Sequence, residues 1–268
     1  LRNKGLFWLF ISCLVLALYF LLAPFAKDYI WLIKSNPTSS VQPLKPSAWS
    51  PSQEVYENIH PPSLAAVLKA NPPKEGAWGR VIAPQVKMDV SIYQMPTQAN
   101  LLVGAATFYP DQVLGEGNTV LLGHHVQNPT SLFSPLTRIK ERASIYLETD
   151  SKLQRYQVIT KKVIPETDLT MIQKKKEPYL TLITCDTYRA TTKRLIIQAK
   201  LVKEVAKVNK NKNTMQCDYE KQIRNLEAQH QQLVMKKTMS FILFGILLLG
   251  SGSGVFLYWK KIEEQEDN

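Results

Sequence analysis

The sequence predicts a closed all-β barrel held between two long apolar helices. Three observations lead there. Short strand-like runs crowd into the roughly 125 residues from Trp78 to Val202, with turn residues between them and no helices of the βαβ kind. Several of these runs, "RYQVITKKV" most clearly, alternate apolar and polar side chains, which is the period of a strand with one buried face. Near each end of the chain lies an apolar stretch long enough to cross a bilayer core of about 30 Å.

The first apolar run, Gly5 to Ala26, comes after Arg2 and Lys4 and is not followed by a small-residue cleavage pattern. Residues 1–26 therefore read as an uncleaved signal-anchor, with a cleaved signal peptide as the alternative. Residues 27–77 read as an extracytoplasmic linker, rich in Pro and Ser over 34–52. Within it, "SLAAVLKA" forms a short helix with Ser63 as N-cap. The strand candidates are "WGRVIAP", "VKMDVSIYQ", "NTVLLGH", "ASIYLET", "QRYQVITKKVI", "YLTLITC" and "RLIIQAKLV". "ANLLVGAAT" and "LFSPLTRIK" read as helical inserts, so 78–202 is the barrel. The charged stretch 203–237 reads as a helical stalk, with Ile223, Leu226 and Leu233 near heptad spacing. Residues 238–259 form the second apolar helix, bounded by Lys236-Lys237 and Lys260-Lys261, with Tyr258 and Trp259 suited to a membrane interface. The tail 260–268, like Arg2 and Lys4, falls on the cytoplasmic side.

Composition narrows the function. A chain of 268 residues, 45% hydrophobic, suits one domain with appendages. The net charge of +11 is spread along the sequence without a nucleic-acid motif. It suits an anionic membrane or wall surface at least as well as nucleic acid, and no nucleic-acid partner is expected. Cys13, Cys185 and Cys217 show no C-x-x-C spacing, so neither a metal site nor a disulfide framework is expected. Outside the membrane, Cys185 is an unpaired thiol in a compartment that permits disulfides.

Of the four histidines, His60 lies in the linker and His230 in the stalk, both read as solvated. His124 and His125 end a strand-like run, as does Cys185, and Arg194 opens the next strand nine residues later. In a small barrel such ends can meet at one mouth. A thiolate is a nucleophile, an imidazole can hold or deliver a proton, and a guanidinium can stabilise an oxyanion. No carboxylate offers itself as a third member; alternation sends Asp186 to the far face of the strand from Cys185. Taken alone, these residues leave two readings: a cysteine acyl-transfer enzyme, or a membrane-tethered β-barrel binding module with a core-filling cysteine.

"TLITC" followed by Arg194 resembles the signature of the sortases, membrane-anchored cysteine transpeptidases of Gram-positive bacteria. "GNTVLLGHHVQNPTSLFSPLTRI" resembles their histidine segment, G-N-x-x-x-x-G-H followed by F-x-x-L. The resemblance covers about Trp78 to Val202, roughly half the chain, and is closest to class A. It implies an eight-stranded barrel with His124, Cys185 and Arg194 as catalytic residues and His125 pointing elsewhere. Thr184 would line the substrate groove. The connection from Val163 to Tyr179, with a short helix, would form one wall, and Ile164 and Ile172 would contact the apolar residues of the substrate. Leu122 stands where class A members often carry Ala, which would reshape the groove. The implied substrate is a secreted protein with a C-terminal Leu-Pro-x-Thr-Gly (LPXTG) motif, cut between Thr and Gly and joined to an amine of a lipid-linked peptidoglycan precursor. A pilin-polymerising, class C-like role is the alternative. The second apolar helix is a class C habit, but the Asp-Pro-aromatic lid of that class is missing from the residues before the barrel. No cofactor is expected. Some class A members bind calcium, but here Lys174-Lys175-Lys176 oppose Asp111 and Glu116, which disfavours a hard cation.

Overall fold

The computed structural model describes residues 76–109, 111–206 and 214–266, with isolated positions before them; side chains are described as far as 243. The expected linker and its short helix lie almost wholly outside the described residues. Eight strands close into a barrel in the order β1-β2-β3-β4-β7-β8-β6-β5. They are β1 (Gly79–Ala83), β2 (Met88–Tyr93), β3 (Ala105–Thr107), β4 (Asn118–Gly123), β5 (Ser144–Glu148), β6 (Lys152–Pro165), β7 (Tyr179–Cys185) and β8 (Lys193–Ala206). Helix α1 (Gln98–Val103) precedes β3, and α2 (Thr214–Glu266) follows β8.

Alternation places the core. Along β6, Tyr156 and Val158 are buried while Gln157 and Ile159 face out. Tyr156, Leu180, Leu182 and Phe133 are among the side chains that fill the barrel interior. Strand β7 is different because it is covered on both faces. Leu180 and Leu182 point into the barrel, whereas Ile183 packs outward with Val120, Ile172 and Ile196. A strand buried on both sides needs a nearly continuous apolar run, and "YLTLITC" is one.

Strand pairing decides which ends meet. β4 runs parallel to β7, with Leu122 opposite Ile183. β8 runs antiparallel to β7, with Arg194 opposite Cys185. The C-terminal ends of β4 and β7 and the start of β8 therefore lie at one rim.

Three expectations need correction. "ANLLVGAAT" is not one helical insert: α1 ends at Val103, and Ala105–Thr107 form β3. Ala has little preference for strands, but this three-residue piece is fully buried between β2 and β4 and is held by tertiary pairing. The connection after β6 contains no helix, only turns. Its backbone carbonyls at Met171 and Gln173 accept from the Asn118 side chain at 3.0 and 2.9 Å, so barrel side chains do the work of helical hydrogen bonds. The barrel also runs past Val202, because β8 continues to Ala206.

The expected stalk is helical from Thr214 onward, but its base is not free-standing. Met215 and Tyr219 are buried against Ile82, Tyr146 and Leu153, and the Tyr219 hydroxyl donates to Glu148. The first turns of α2, as far as Leu226, belong to the barrel unit; Glu227–Asn268 form a second unit. Among the described residues no helix is long and apolar enough to cross a membrane, so the two flanking transmembrane helices gain no support there. The first run is described only at positions 9, 11–16 and 20, and the side chains of the second only as far as Leu243.

Candidate active site

Strand β4 delivers His124 to the rim through a glycine that cannot be replaced cheaply. A Cβ on Gly123 would fall 2.6 Å from the Phe133 ring. Phe133 in turn is fully buried, and its N–H donates to the His124 carbonyl at 3.1 Å. The G-H and F-x-x-L parts of the histidine segment are thus one packed unit. The ring of His124 is half-buried, and its Nε2 has no hydrogen-bond partner among the described residues. Burial pushes its pKa down to about 4, so the imidazole is neutral at neutral pH.

Cys185 ends β7 half-buried and unpaired. Burial raises its pKa; the charge of Arg194 pulls it back in part, and Asp186 and Glu166 push it up further. The resting site is therefore a neutral thiol beside a neutral imidazole. Alkylation against pH reads this directly. In a background of Cys13→Ser and Cys217→Ser, iodoacetamide should alkylate Cys185 with a midpoint above the ordinary thiol value, since only thiolate reacts. Arg194→Ala should raise that midpoint further. A midpoint at or below the ordinary value would contradict this electrostatic picture.

The Arg194 guanidinium is held on two sides. Nη2 meets Glu166 Oε2 at 2.5 Å, and Nη1 donates to the carbonyls of Thr191 and Lys193 at 2.7 and 3.0 Å. His124, Cys185 and Arg194 share one cavity of about 310 Å³ with Leu122, Thr184 and the β7–β8 loop. Thr184 is buried, and its hydroxyl has no partner among the described residues.

His125 does not point elsewhere. It lines the same cavity, and its Nδ1 lies 2.9 Å from the Cys185 carbonyl. A carbonyl only accepts, so the proton sits on Nδ1. Ile164 and Ile172 lie outside the lining of the cavity. They join an apolar cluster with Phe108, Tyr109 and Met171, and this cluster reaches the cavity through Leu122 and Ile183.

Sequence reasoning passed over Asn118, although it is the Asn of the G-N pair that opens the histidine segment. Besides donating to the two loop carbonyls, it accepts from the Thr181 hydroxyl at 2.7 Å, tying the β6–β7 connection to the barrel. Gly117 beside it has φ +52, and a Cβ there would meet the Lys175 carbonyl at 2.7 Å. Across the same two loops, Lys174 pairs with Asp111 at 2.8 Å. Among the described residues no group of three or more His, Cys, Asp or Glu side chains could hold a metal ion.

The family model for the Sortase domain matches residues 81–202. Sortase A of Listeria monocytogenes is 34% identical over 200 residues, covering 72% of this chain and 90% of that protein. This chain belongs to the sortase family. Sortase A of Bacillus anthracis is 32% identical over 149 residues, covering 56% of this chain and 71% of that protein. The crystal structure of the Listeria sortase A shares 36% identity and superposes with a TM-score of 0.48, covering 50% of this chain and 92% of that one. The sortase assignment makes this chain an enzyme, a cysteine transpeptidase.

Proposed function

We propose that this sortase cuts an LPXTG-type sorting motif between Thr and Gly at Cys185 and joins the released carboxyl end to an amine of a cell-wall precursor. The observation that carries the reading is the convergence of His124, Cys185 and Arg194 in one cavity beside an apolar cluster. Leu122, Ile164 and Ile172 offer an apolar wall for the Leu and Pro of the motif, and Thr184 offers a hydroxyl to its backbone.

In this mechanism the Cys185 proton passes to His124 Nε2 as Sγ attacks the Thr carbonyl carbon. The S–C bond forms, and the carbonyl oxygen takes on negative charge that Arg194 stabilises. The C–N bond to Gly then breaks, and the imidazolium gives its proton to the leaving nitrogen. An incoming amine attacks the thioester and yields its proton to His124. A new C–N bond forms as the C–S bond breaks, and the thiolate regains the proton. Burial holds the Cys185 thiol above and the His124 imidazole below their ordinary pKa values, which disfavours a standing thiolate–imidazolium pair. The test is to incubate the full chain with Leu-Pro-x-Thr-Gly peptides and a panel of amine nucleophiles. Ligated product ending in Thr-amine is expected; peptides left intact with every amine would overturn the reading.

Arg194→Lys tests the guanidinium. A lysine keeps the charge but not the planar fork, and it cannot hold Glu166, two carbonyls and a substrate oxygen together. We expect kcat/KM to fall by roughly 10²-fold. Near-normal kinetics would reduce the role of Arg194 to charge alone.

The same reading anchors the enzyme in the membrane by 1–26 and 238–259, with the barrel outside the cytoplasm. The support is the length and flanking charge of the two apolar runs. A reporter active only in the cytoplasm, fused after Asn268, is expected to be active. Activity of an export-dependent reporter at that position would rule out the second span.

A further inference from the structure

Arg194 is pre-committed to protein groups, and Glu166 is the one that holds it with charge. Glu166 directly follows Pro165, the last residue of β6, whose register partner is Lys193. Its N–H donates to the Thr192 carbonyl at 2.8 Å. The backbone of Glu166 is thereby pinned beside the start of β8, and its carboxylate reaches Nη2 of Arg194 at 2.5 Å. Both side chains remain partly open to solvent, at 28% for Arg194 and 42% for Glu166. An ion pair so exposed contributes little to folding, so stability does not account for its geometry.

A guanidinium has five N–H donors. Three are engaged: two on Nη1 by the Thr191 and Lys193 carbonyls, and one on Nη2 by Glu166. That leaves the Nε donor and one donor of Nη2 for a group entering the cavity. The two carbonyl contacts come from the loop before β8 and from the strand's first residue, on the same side of the chain as Arg194 itself. Glu166 is the sole contact among these three that arrives from another strand end, and it fixes the guanidinium across the β6–β8 pair.

We propose that Glu166 is a positioning residue for Arg194: its carboxylate anchors Nη2 so that the two uncommitted donors are presented together at the cavity beside Cys185. This rests on the sortase mechanism proposed for the chain. The role is one of reach more than of charge. A carboxylate at this distance also tempers the field of Arg194 at the thiol, in keeping with the upward push of Glu166 on Cys185.

Three variants separate the possibilities, assayed with the Leu-Pro-x-Thr-Gly peptide in the full chain. Glu166→Ala should lower kcat by roughly tenfold with KM within about twofold, because a donor set held only in the transition state is loosened. Glu166→Asp keeps the charge but falls short by a methylene, and it should resemble Ala. Glu166→Gln keeps an acceptor at full reach and should recover kcat to within about threefold of wild type. Glu166→Ala placed on Arg194→Ala, read by acyl-enzyme formation in intact-mass spectra, should cause no further loss, since Glu166 acts through Arg194. Melting temperatures are expected to stay close to wild type. Should Glu166→Ala melt early, the Asp and Gln pair decides. The inference is overturned if kcat of Glu166→Ala stays within about twofold of wild type, if the loss lies in KM alone, if Asp rescues and Gln does not, or if the loss multiplies on Arg194→Ala. Each of these requires a wild-type chain that turns over. A wild-type chain that leaves the peptide intact would instead overturn the sortase mechanism and this inference with it.

Discussion

Cys185→Ala is expected to abolish acyl-enzyme formation while leaving the barrel folded. No other described group at the rim can stand in for the thiolate: Thr184 is a buried hydroxyl on the preceding residue, and Cys13 and Cys217 are exposed cysteines elsewhere in the chain. Loss of the nucleophile removes the covalent step itself, so kcat should drop by roughly 10⁴-fold or more. The folding cost should be small. Cys185 is half-buried at the end of β7, and removing one sulfur atom there should cost on the order of 1 kcal/mol. Circular dichroism and the melting temperature measure that side of the prediction. A purified variant that is unfolded would show that the cysteine is a core filler. Turnover near the wild-type level would remove it from the mechanism altogether.

The second large effect separates the two adjacent histidines. His124→Ala should lower kcat/KM by about 10²–10⁴-fold, the usual range for a general acid and base. His125→Ala should cost about tenfold or less, in line with one hydrogen bond, here to the Cys185 carbonyl, worth about 1 kcal/mol. The difference in kind comes from what each ring touches. His124 lines the shared cavity and its buried Nε2 has no partner among the described residues, whereas the Nδ1 of His125 is occupied by the Cys185 carbonyl. The opposite ranking in steady-state kinetics would move proton transfer to His125.

Most of the barrel was legible because period-2 alternation and turn residues delimit its strands, as in β6, where Tyr156 and Val158 alternate with Gln157 and Ile159. β3 escaped because three residues carry no period, and Ala105 and Ala106 carry no strand preference; only the flanking β2 and β4 make them a strand. A helix was expected in the β6–β7 connection from resemblance alone. There the local chain is turned instead by Asn118 and Gln198 side chains that bind the Met171 carbonyl from 53 and 27 residues away in sequence. The convergence of His124, Cys185 and Arg194 could be anticipated from strand ends because each residue sits at or next to one. Glu166 could not: its meaning lies in the β6–β8 register that sets Ile164 opposite Arg194, and no local spacing encodes that. His125 was misplaced because the resemblance singles out the histidine after Gly123 and says nothing of its neighbour, which lies beyond the end of β4, where no strand period sets its direction.

The central claim is that Cys185 forms a thioester with the sorting motif. Intact-protein mass spectrometry of the full chain, quenched in acid during turnover of a Leu-Pro-x-Thr-Gly peptide, tests it most directly. The expected result is a mass increase equal to the peptide fragment ending in Thr, mapped by digestion to Cys185, lost on adding an amine and missing in Cys185→Ala. An adduct on Cys13 or Cys217, or peptide cleavage with no adduct at any cysteine, would contradict it.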